Sequence, residues 1–266
     1  MPVTDLNQCF WCMPKTASSA ISTELTEYRK WHSWHKGHAP CSAMYDHGSI
    51  HIMRVRHRRN PWDIPFHFGG IRSPWDWYGS LWKHTEGRQH FLKERERFIL
   101  KYQGFKGFLY GCTHLEEVDV AGGERAMVIL EVWPDRKIPE GSCGLWSWCV
   151  DHFYREDGLW LTEALIPSDR ASEGLAEVTG VSMSLELKNT ARGRLDPLDS
   201  VLQHRHQNLT DYKSMFDDEM LEWVEEADQK MRGVFQFKPF ESSPSAVYWF
   251  SEAAANRETC RLTHGL

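Results

Sequence analysis

The sequence predicts an α/β fold, because two short apolar strands are each followed by a helix. Residues 8–13 (QCFWCM) and 66–71 (FHFGGI) are apolar runs rich in aromatic residues, which is typical of buried strands. Apolar residues recur at helical spacing after each run, from Ala17 and from Pro74 onward. The chain has 266 residues, so one large α/β domain or two small ones would fit.

The first strand-to-helix unit carries a candidate anion site. Pro14 and Lys15 end the strand, and Thr16, Ser18 and Ser19 are small hydroxyl residues of the kind that cap a helix start. The unpaired N–H groups and the dipole of a helix give its amino end partial positive charge, to which Lys15 would add a full charge. An ordinary capped helix after an ordinary strand is the alternative interpretation.

The second unit places an arginine at a strand end. Arg72 follows the run directly, and Ser73-Pro74 opens a helix, since proline is favoured at the first helical position. Ser80 then falls about two turns into that helix. Arginine offers a planar fork that matches phosphate oxygens, and serine adds a donor. The alternative is a plain turn with an exposed arginine.

Together the two units resemble the nucleotide site of the sulfotransferases that use 3'-phosphoadenosine 5'-phosphosulfate (PAPS). PKTASS, residues 14–19, is similar to their phosphosulfate-binding loop, especially in the glycan 2-O-sulfotransferases, and both glycines of the Walker pattern are absent. IRSPWDWYGS, residues 71–80, resembles their 3'-phosphate motif. The resemblance covers most of residues 8–237. It implies a three-layer α/β/α, P-loop-like fold with a mostly parallel central sheet and PAPS at the carboxyl ends of the strands.

The implied reaction moves a sulfuryl group from PAPS to a hydroxyl or amine of a small-molecule or glycan acceptor, leaving 3',5'-ADP and using no metal. Lys15 would stabilise the charge that develops on the leaving phosphate. Arg72 and Ser80 would bind the 3'-phosphate. The full set of implied nucleotide-binding residues is Pro14, Lys15, Thr16, Ala17, Ser18, Ser19, Arg72, Ser80 and Arg192.

A histidine is the expected catalytic base, because imidazole takes up a proton near pH 7. His38 is the first candidate, since a similar His-x-Pro segment carries the catalytic histidine of cytosolic sulfotransferases. His51 and His47 are the runners-up, because the 2-O-sulfotransferases have a similar His-x-His strand. A metal cluster is not predicted, since H-E-x-x-H and carboxylates at ligand spacing are missing here. A histidine taken singly is more often a surface or packing residue than a catalytic one.

The resemblance also implies a single domain over residues 1–240, with an insertion at about residues 85–134 and a tail over residues 241–266. The tail is polar from Ser242 onward and is expected to pack irregularly or to fray. Apolar periodicity predicts a surface helix over 86–102, strands over 105–110 and 126–133, helical pieces within 142–178, and an amphipathic helix over 211–232.

Composition bears on partners and compartment. A net charge of −6 with 26% charged residues argues against a basic nucleic-acid-binding face. No apolar run reaches the roughly 18 residues of a membrane span, and no signal peptide is recognisable. The seven scattered cysteines suit a reducing compartment. We therefore expect a cytoplasmic protein with no nucleic-acid or membrane partner.

Two other classes of protein stay open. One is a kinase-like enzyme that uses the same anion loop, although no Ser or Thr directly follows a Gly-Lys pair and no aspartate clearly ends a strand. The other is a non-catalytic nucleotide-binding protein of the same fold, which the ambiguous catalytic base leaves open.

Overall fold

The chain folds into a mixed α/β structure with a mostly parallel open sheet. In the described ranges a computed structural model contains a four-stranded sheet, a two-stranded hairpin and seven α-helices. The α/β class and the mostly parallel sheet are therefore confirmed. The described residues are 8–11, 13, 16, 21, 65–86, 104–114, 144–156, 158–180 and 212–263.

The described residues form six strands and seven α-helices. The strands are β1 (Gln8–Trp11), β2 (Phe66–Ile71), β3 (Arg155–Glu156), β4 (Leu159–Trp160), β5 (Ala164–Pro167) and β6 (Tyr248–Trp249). The helices are α1 (Pro74–Glu86), α2 (Gly104–Thr113), α3 (Leu145–Tyr154), α4 (Ala171–Thr179), α5 (Asp218–Ala227), α6 (Gln229–Phe235) and α7 (Ala253–Thr263).

The strands of the main sheet are ordered β1-β2-β5-β6. The pairs β1–β2 and β2–β5 are parallel, with Gln8 opposite Phe66 and Phe68 opposite Ala164. Strand β6 is antiparallel to β5. Because β1, β2 and β5 are adjacent and parallel, the segments that follow them leave the sheet at the same edge. Thr16, which follows β1, and Arg72, which follows β2, therefore lie at the same edge.

Two helices make close contacts with the centre of the sheet. Successive residues of a strand point to opposite faces, so Gly69 and Gly70 face different ways. The Tyr154 ring of α3 lies against Gly69, and its hydroxyl donates to the Gly70 carbonyl. Ile166, which pairs with Gly70, contacts Gly174 of α4. Glycine is required at positions 69 and 174, because a Cβ at either position would collide with these neighbours.

Residues 105–110 do not form the predicted strand, and that prediction is wrong. They lie within α2, where Leu109 and Cys112 are buried at helical spacing. The rings of Phe105 and Phe108 pack on Trp82 of α1, with centroids 6.0 and 5.4 Å away. Aromatic residues favour strands only where a pleated surface receives them, and here the receiving surface is another helix.

The amphipathic helix predicted over 211–232 begins later and is interrupted. Asp217 caps α5, accepting a hydrogen bond from the Met220 N–H (2.9 Å). The helix is interrupted at Asp228, and α6 begins at the next residue. The carbonyl of Ala227 accepts from the Gly144 N–H of another segment (2.8 Å), although an unbroken helix would offer it to a residue one turn later.

Asp228, which is far from α3 in the sequence, caps the amino end of that helix. It is fully buried, and its Oδ1 accepts from the Ser147 N–H (3.0 Å). Its Oδ2 accepts from the Tyr78 hydroxyl (2.9 Å), which accepts in turn from the Trp146 N–H (3.1 Å). Burial raises the pKa of Asp228 to about 6, although these donors and the charge of Arg232 oppose the rise. The network joins α1, α3 and the break between α5 and α6.

This raised pKa predicts a pH dependence of stability. The pKa of Asp228 is about 6 in the folded state, against an ordinary 3.8. The neutral carboxyl therefore contributes fully to the free energy of unfolding below pH 4, and this contribution is lost as pH rises through 6. The expected loss is about 2–3 kcal/mol. Asp228→Asn should lack this component when unfolding free energies are measured from pH 4 to pH 7. An equal fall in both proteins would contradict the assignment.

The expectation that the residues after Ser242 pack irregularly is wrong. They supply β6, which pairs with β5, and the eleven-residue helix α7. Arg257 of α7 is only 4% exposed. The segment therefore adds a strand to the sheet and inserts a charged side chain into the interior.

Arg257 is held by a network at the amino ends of the strands. Its Nη1 donates to the Leu161 carbonyl (2.6 Å), and its Nη2 donates to the Pro65 carbonyl (2.9 Å) and to Glu163 Oε1. Glu163 Oε2 accepts from the His67 N–H (2.7 Å). We call this arrangement of Arg257 and Glu163 the buried ion pair. It ties α7 to the sheet at the edge opposite the predicted anion sites.

Two predicted elements lie outside the described residues. They are the strand at 126–133 and, apart from Glu86 at the end of α1, the surface helix at 86–102. In the part of the chain that is described, none of the helices has the length and apolar character of a membrane span.

Candidate functional site

The segment after β1 touches the end of β2. Thr16 is fully buried, and its hydroxyl donates to the Met13 carbonyl (2.7 Å), which forms a turn directly after the strand. A Cβ on Gly70 would lie 2.7 Å from the Thr16 carbonyl oxygen and 2.9 Å from its Oγ1. The loop residue Thr16 therefore lies against a strand residue only two positions before Arg72.

This geometry gives Thr16 a specific local role. Its side chain has no exposed surface and its proton is engaged by Met13, so within the described structure it shapes the turn. Ile21, a few residues later, is helical and fully buried, as the predicted helix requires. The strand, turn and helical residue thus follow the predicted order.

The junction after β2 is built as the sequence predicts. Helix α1 begins at Pro74, where the missing N–H costs no hydrogen bond. The carbonyl of Ser73 accepts the first helical bond from Trp77 (2.9 Å), and its hydroxyl donates to Asp76 Oδ2 (3.1 Å). Ser73 and Asp76 therefore organise the first turn, immediately after Arg72.

Arg72 is half-buried and anchored through its backbone. Its carbonyl accepts from the Trp146 Nε1 of α3 (3.0 Å), and its guanidinium carbon lies 5.5 Å from the centroid of the Tyr212 ring. Burial raises the pKa of Asp76, and the nearby charge of Arg72 opposes that rise. The arginine charge and this carboxylate therefore share one region of the sheet edge.

Ser80 lies further along the same helix. It is 7% exposed and follows Asp76 by four residues, so helical geometry places the two on one side of α1. Gly79, its neighbour, packs against Tyr212. The predicted pair of Arg72 and Ser80 is thus carried by one rigid unit of strand end and helix.

One aspartate lies two residues beyond the end of β5, at this edge of the sheet. Asp169 lies in the short 3-10 turn after β5. Both of its carboxylate oxygens are engaged by Ser243, whose N–H donates at 2.8 Å and whose hydroxyl donates at 2.7 Å. Asp169 therefore fastens the segment before β6 to the sheet.

The other predicted site residues lie outside the described residues. Within the described ranges, no three His, Cys, Asp or Glu side chains are grouped so that they could hold a metal ion. The candidates that are not described are Pro14, Lys15, Ala17, Ser18, Ser19, His38, His47, His51 and Arg192.

The structure adds Tyr212, which the sequence analysis did not single out. Its contacts with Arg72 and Gly79 join segments that are far apart in the chain. A glycine inside a helix is the one local signal that could have indicated them, since it often marks a close approach.

The contact between the two junctions can be tested at Gly70. A methyl group there would press on the Thr16 backbone, so Gly70→Ala should lower the free energy of unfolding by about 1–3 kcal/mol. Gly111→Ala is the matched control, because nothing lies within 4 Å of an added Cβ in α2. It should instead stabilise the protein by about 0.5–1 kcal/mol. Equal effects of the two changes in urea unfolding would contradict the contact.

Comparison with known proteins finds no relative of this chain. No family model matches the chain, and no match is found among the curated proteins or the solved structures. The site therefore has to be interpreted from its own residues. In the described residues, Thr16 lies against Gly70 of β2, two positions before Arg72.

Proposed function

We propose that the protein is a PAPS-dependent sulfotransferase that acts on a hydroxyl or amine of a small-molecule or glycan acceptor. The observation that carries the proposal is the contact of Thr16 with Gly70. It places Thr16, the third residue of PKTASS, beside the strand that precedes Arg72. A nucleotide with phosphates on both its 3' and 5' positions needs two neighbouring anion sites, and these junctions are candidates for them.

The two junctions would divide the nucleotide between them. Lys15 and the N–H groups of the loop bind the 5'-phosphosulfate, while Arg72 and Ser80 bind the 3'-phosphate. In the transfer, the bond between sulfur and the bridging oxygen breaks as the acceptor oxygen or nitrogen bonds to sulfur. Lys15 stabilises the charge that develops on that bridging oxygen.

A histidine takes the proton that the acceptor loses. His38 is the first candidate for this base, with His51 and His47 as alternatives, since imidazole accepts a proton near pH 7. No metal is part of the proposed reaction. We propose a cytoplasmic location, which the seven scattered cysteines suit.

The proposal includes a three-layer α/β/α arrangement. Tyr154 of α3 contacts Gly69, whereas Gly174 of α4 contacts Ile166, which pairs with Gly70. Adjacent strand residues face opposite ways, so these contacts support helices on both faces of the sheet. Ligands of such sheets bind at the carboxyl ends of the strands, where both junctions lie.

Calorimetry separates this proposal from a kinase-like enzyme. The protein should bind 3',5'-ADP at least about tenfold more tightly than ADP, because one charge-assisted hydrogen bond is worth about that factor. A preference for ADP, or no binding of either nucleotide, would contradict the proposal.

A transfer assay separates an enzyme from a non-catalytic binding protein. PAPS labelled in its sulfate group is incubated with a panel of hydroxyl and amine acceptors, both aromatic and sugar. We expect label in at least one acceptor, together with stoichiometric 3',5'-ADP. Tight binding of 3',5'-ADP without transfer to any acceptor would favour the non-catalytic protein.

A further inference from the structure

Tyr212 lies along the first two turns of α1. Its ring centroid is 5.5 Å from the guanidinium carbon of Arg72, and its Cβ, Cγ and Cδ1 atoms surround the place where a Cβ of Gly79 would be. The distances from that Cβ position are 2.6 Å to Cδ1, 2.7 Å to Cγ and 2.9 Å to Cβ. Only a glycine at position 79 lets the aromatic side chain lie this close to the helix.

Contact with an aromatic ring does not by itself prevent an arginine from binding phosphate. A guanidinium over an aromatic ring is attracted through its face, whereas it binds phosphate through the N–H groups at its edge. The two interactions are therefore compatible. A side chain held by such a contact has fewer accessible rotamers, so less conformational entropy is lost when it binds an anion.

We infer that Tyr212 is a positioning residue that orients Arg72 toward a 3'-phosphate and sets the preference of the site for 3'-phosphorylated nucleotides. The inference rests on the proposed function and deepens it. Ser80, next to Gly79, lies on the same helix, so the ring contacts both the arginine before that helix and the helix that carries the serine.

The test compares two ligands that differ only in the 3'-phosphate, namely 3',5'-ADP and 5'-AMP. Tyr212→Ala should weaken binding of 3',5'-ADP about 5- to 10-fold while leaving the affinity for 5'-AMP within about twofold. Tyr212→Phe keeps the ring and should bind both ligands like the wild type. Affinities are measured by calorimetry on variants whose unfolding transitions have been checked.

Gly79→Ala gives an independent route to the same result, because the added methyl group displaces the Tyr212 ring while the ring itself is kept. It should weaken binding of 3',5'-ADP selectively, as Tyr212→Ala does. Gly233→Ala in α6 is its control, since nothing lies within 4 Å of an added Cβ there.

Three results would overturn the inference. If Tyr212→Ala weakens both ligands equally, the ring has no specific part in 3'-phosphate recognition. If neither ligand is affected, Arg72 does not depend on the ring. If the wild type itself binds 3',5'-ADP no better than 5'-AMP, the proposed function fails and the inference fails with it.

Discussion

Replacement of Arg257 by alanine is expected to lower the free energy of unfolding by about 3–5 kcal/mol. The side chains of Arg257 and Glu163 are 5% and 13% exposed, so the change leaves a buried carboxylate without its counter-charge. The carbonyls of Leu161 and Pro65 also lose their donor. Equilibrium unfolding in urea measures the loss.

Arg261 of the same helix offers a matched control. Its pair with Glu258 is 39% and 54% exposed, and such surface pairs contribute at most about 1 kcal/mol. Arg261→Ala should therefore have a small effect. The double variant Glu163→Gln, Arg257→Met should recover part of the loss, because it removes the orphaned charge. Similar losses for Arg257→Ala and Arg261→Ala would contradict the role of the buried ion pair.

The buried ion pair and the candidate site lie at opposite edges of the sheet. Arg257 contacts residues that precede β2 and β5, whereas Arg72 follows β2. The fraction of Arg257→Ala protein that remains folded should therefore bind 3',5'-ADP like the wild type. A selective loss of binding would show that the two edges are coupled.

Replacement of Arg72 by alanine is expected to weaken binding of 3',5'-ADP about 100-fold. Two charge-assisted hydrogen bonds to one phosphate are worth about 3 kcal/mol together, and 1.4 kcal/mol corresponds to a factor of ten. Arg72→Lys should fall between the wild type and the alanine variant, because lysine keeps the charge but lacks the planar fork. Calorimetric titration of each variant measures the affinities.

Arg170 provides the control for charge at this edge. It follows β5, and its guanidinium pairs with Glu173 on the surface. Arg170→Ala should change the affinity by no more than about twofold, since exposed pairs are weak and screened. If both arginine variants lose affinity equally, general charge attraction rather than a defined phosphate site would explain the binding.

The local parts of the fold could be predicted because they depend on neighbours in the chain. The runs that form β1 and β2 are apolar and short, and Ser73-Pro74 marks the start of α1. Pro74 lies at the first helical position, and Asp76 is fixed by the serine before it. Each of these signals spans fewer than about ten residues.

The features that the sequence did not predict correctly depend on contacts between distant segments. The aromatic residues of 105–110 were predicted as a strand, yet Trp82 and the rest of α1 receive them as a helix. The break at Asp228 reflects the needs of α3, and the position of α7 depends on Glu163. Tyr212 reaches α1 from far along the chain. No local periodicity reports such contacts.

The most direct test asks whether the two junctions hold opposite ends of one nucleotide. It combines two variants with two ligands. Lys15→Ala and Arg72→Ala are each titrated with 3',5'-ADP and with 5'-AMP. We predict that Lys15→Ala weakens both ligands to a similar extent, because both carry the 5'-phosphate, and that Arg72→Ala weakens only 3',5'-ADP. Unchanged affinities in Lys15→Ala, or an equal loss for both ligands in Arg72→Ala, would contradict the shared site.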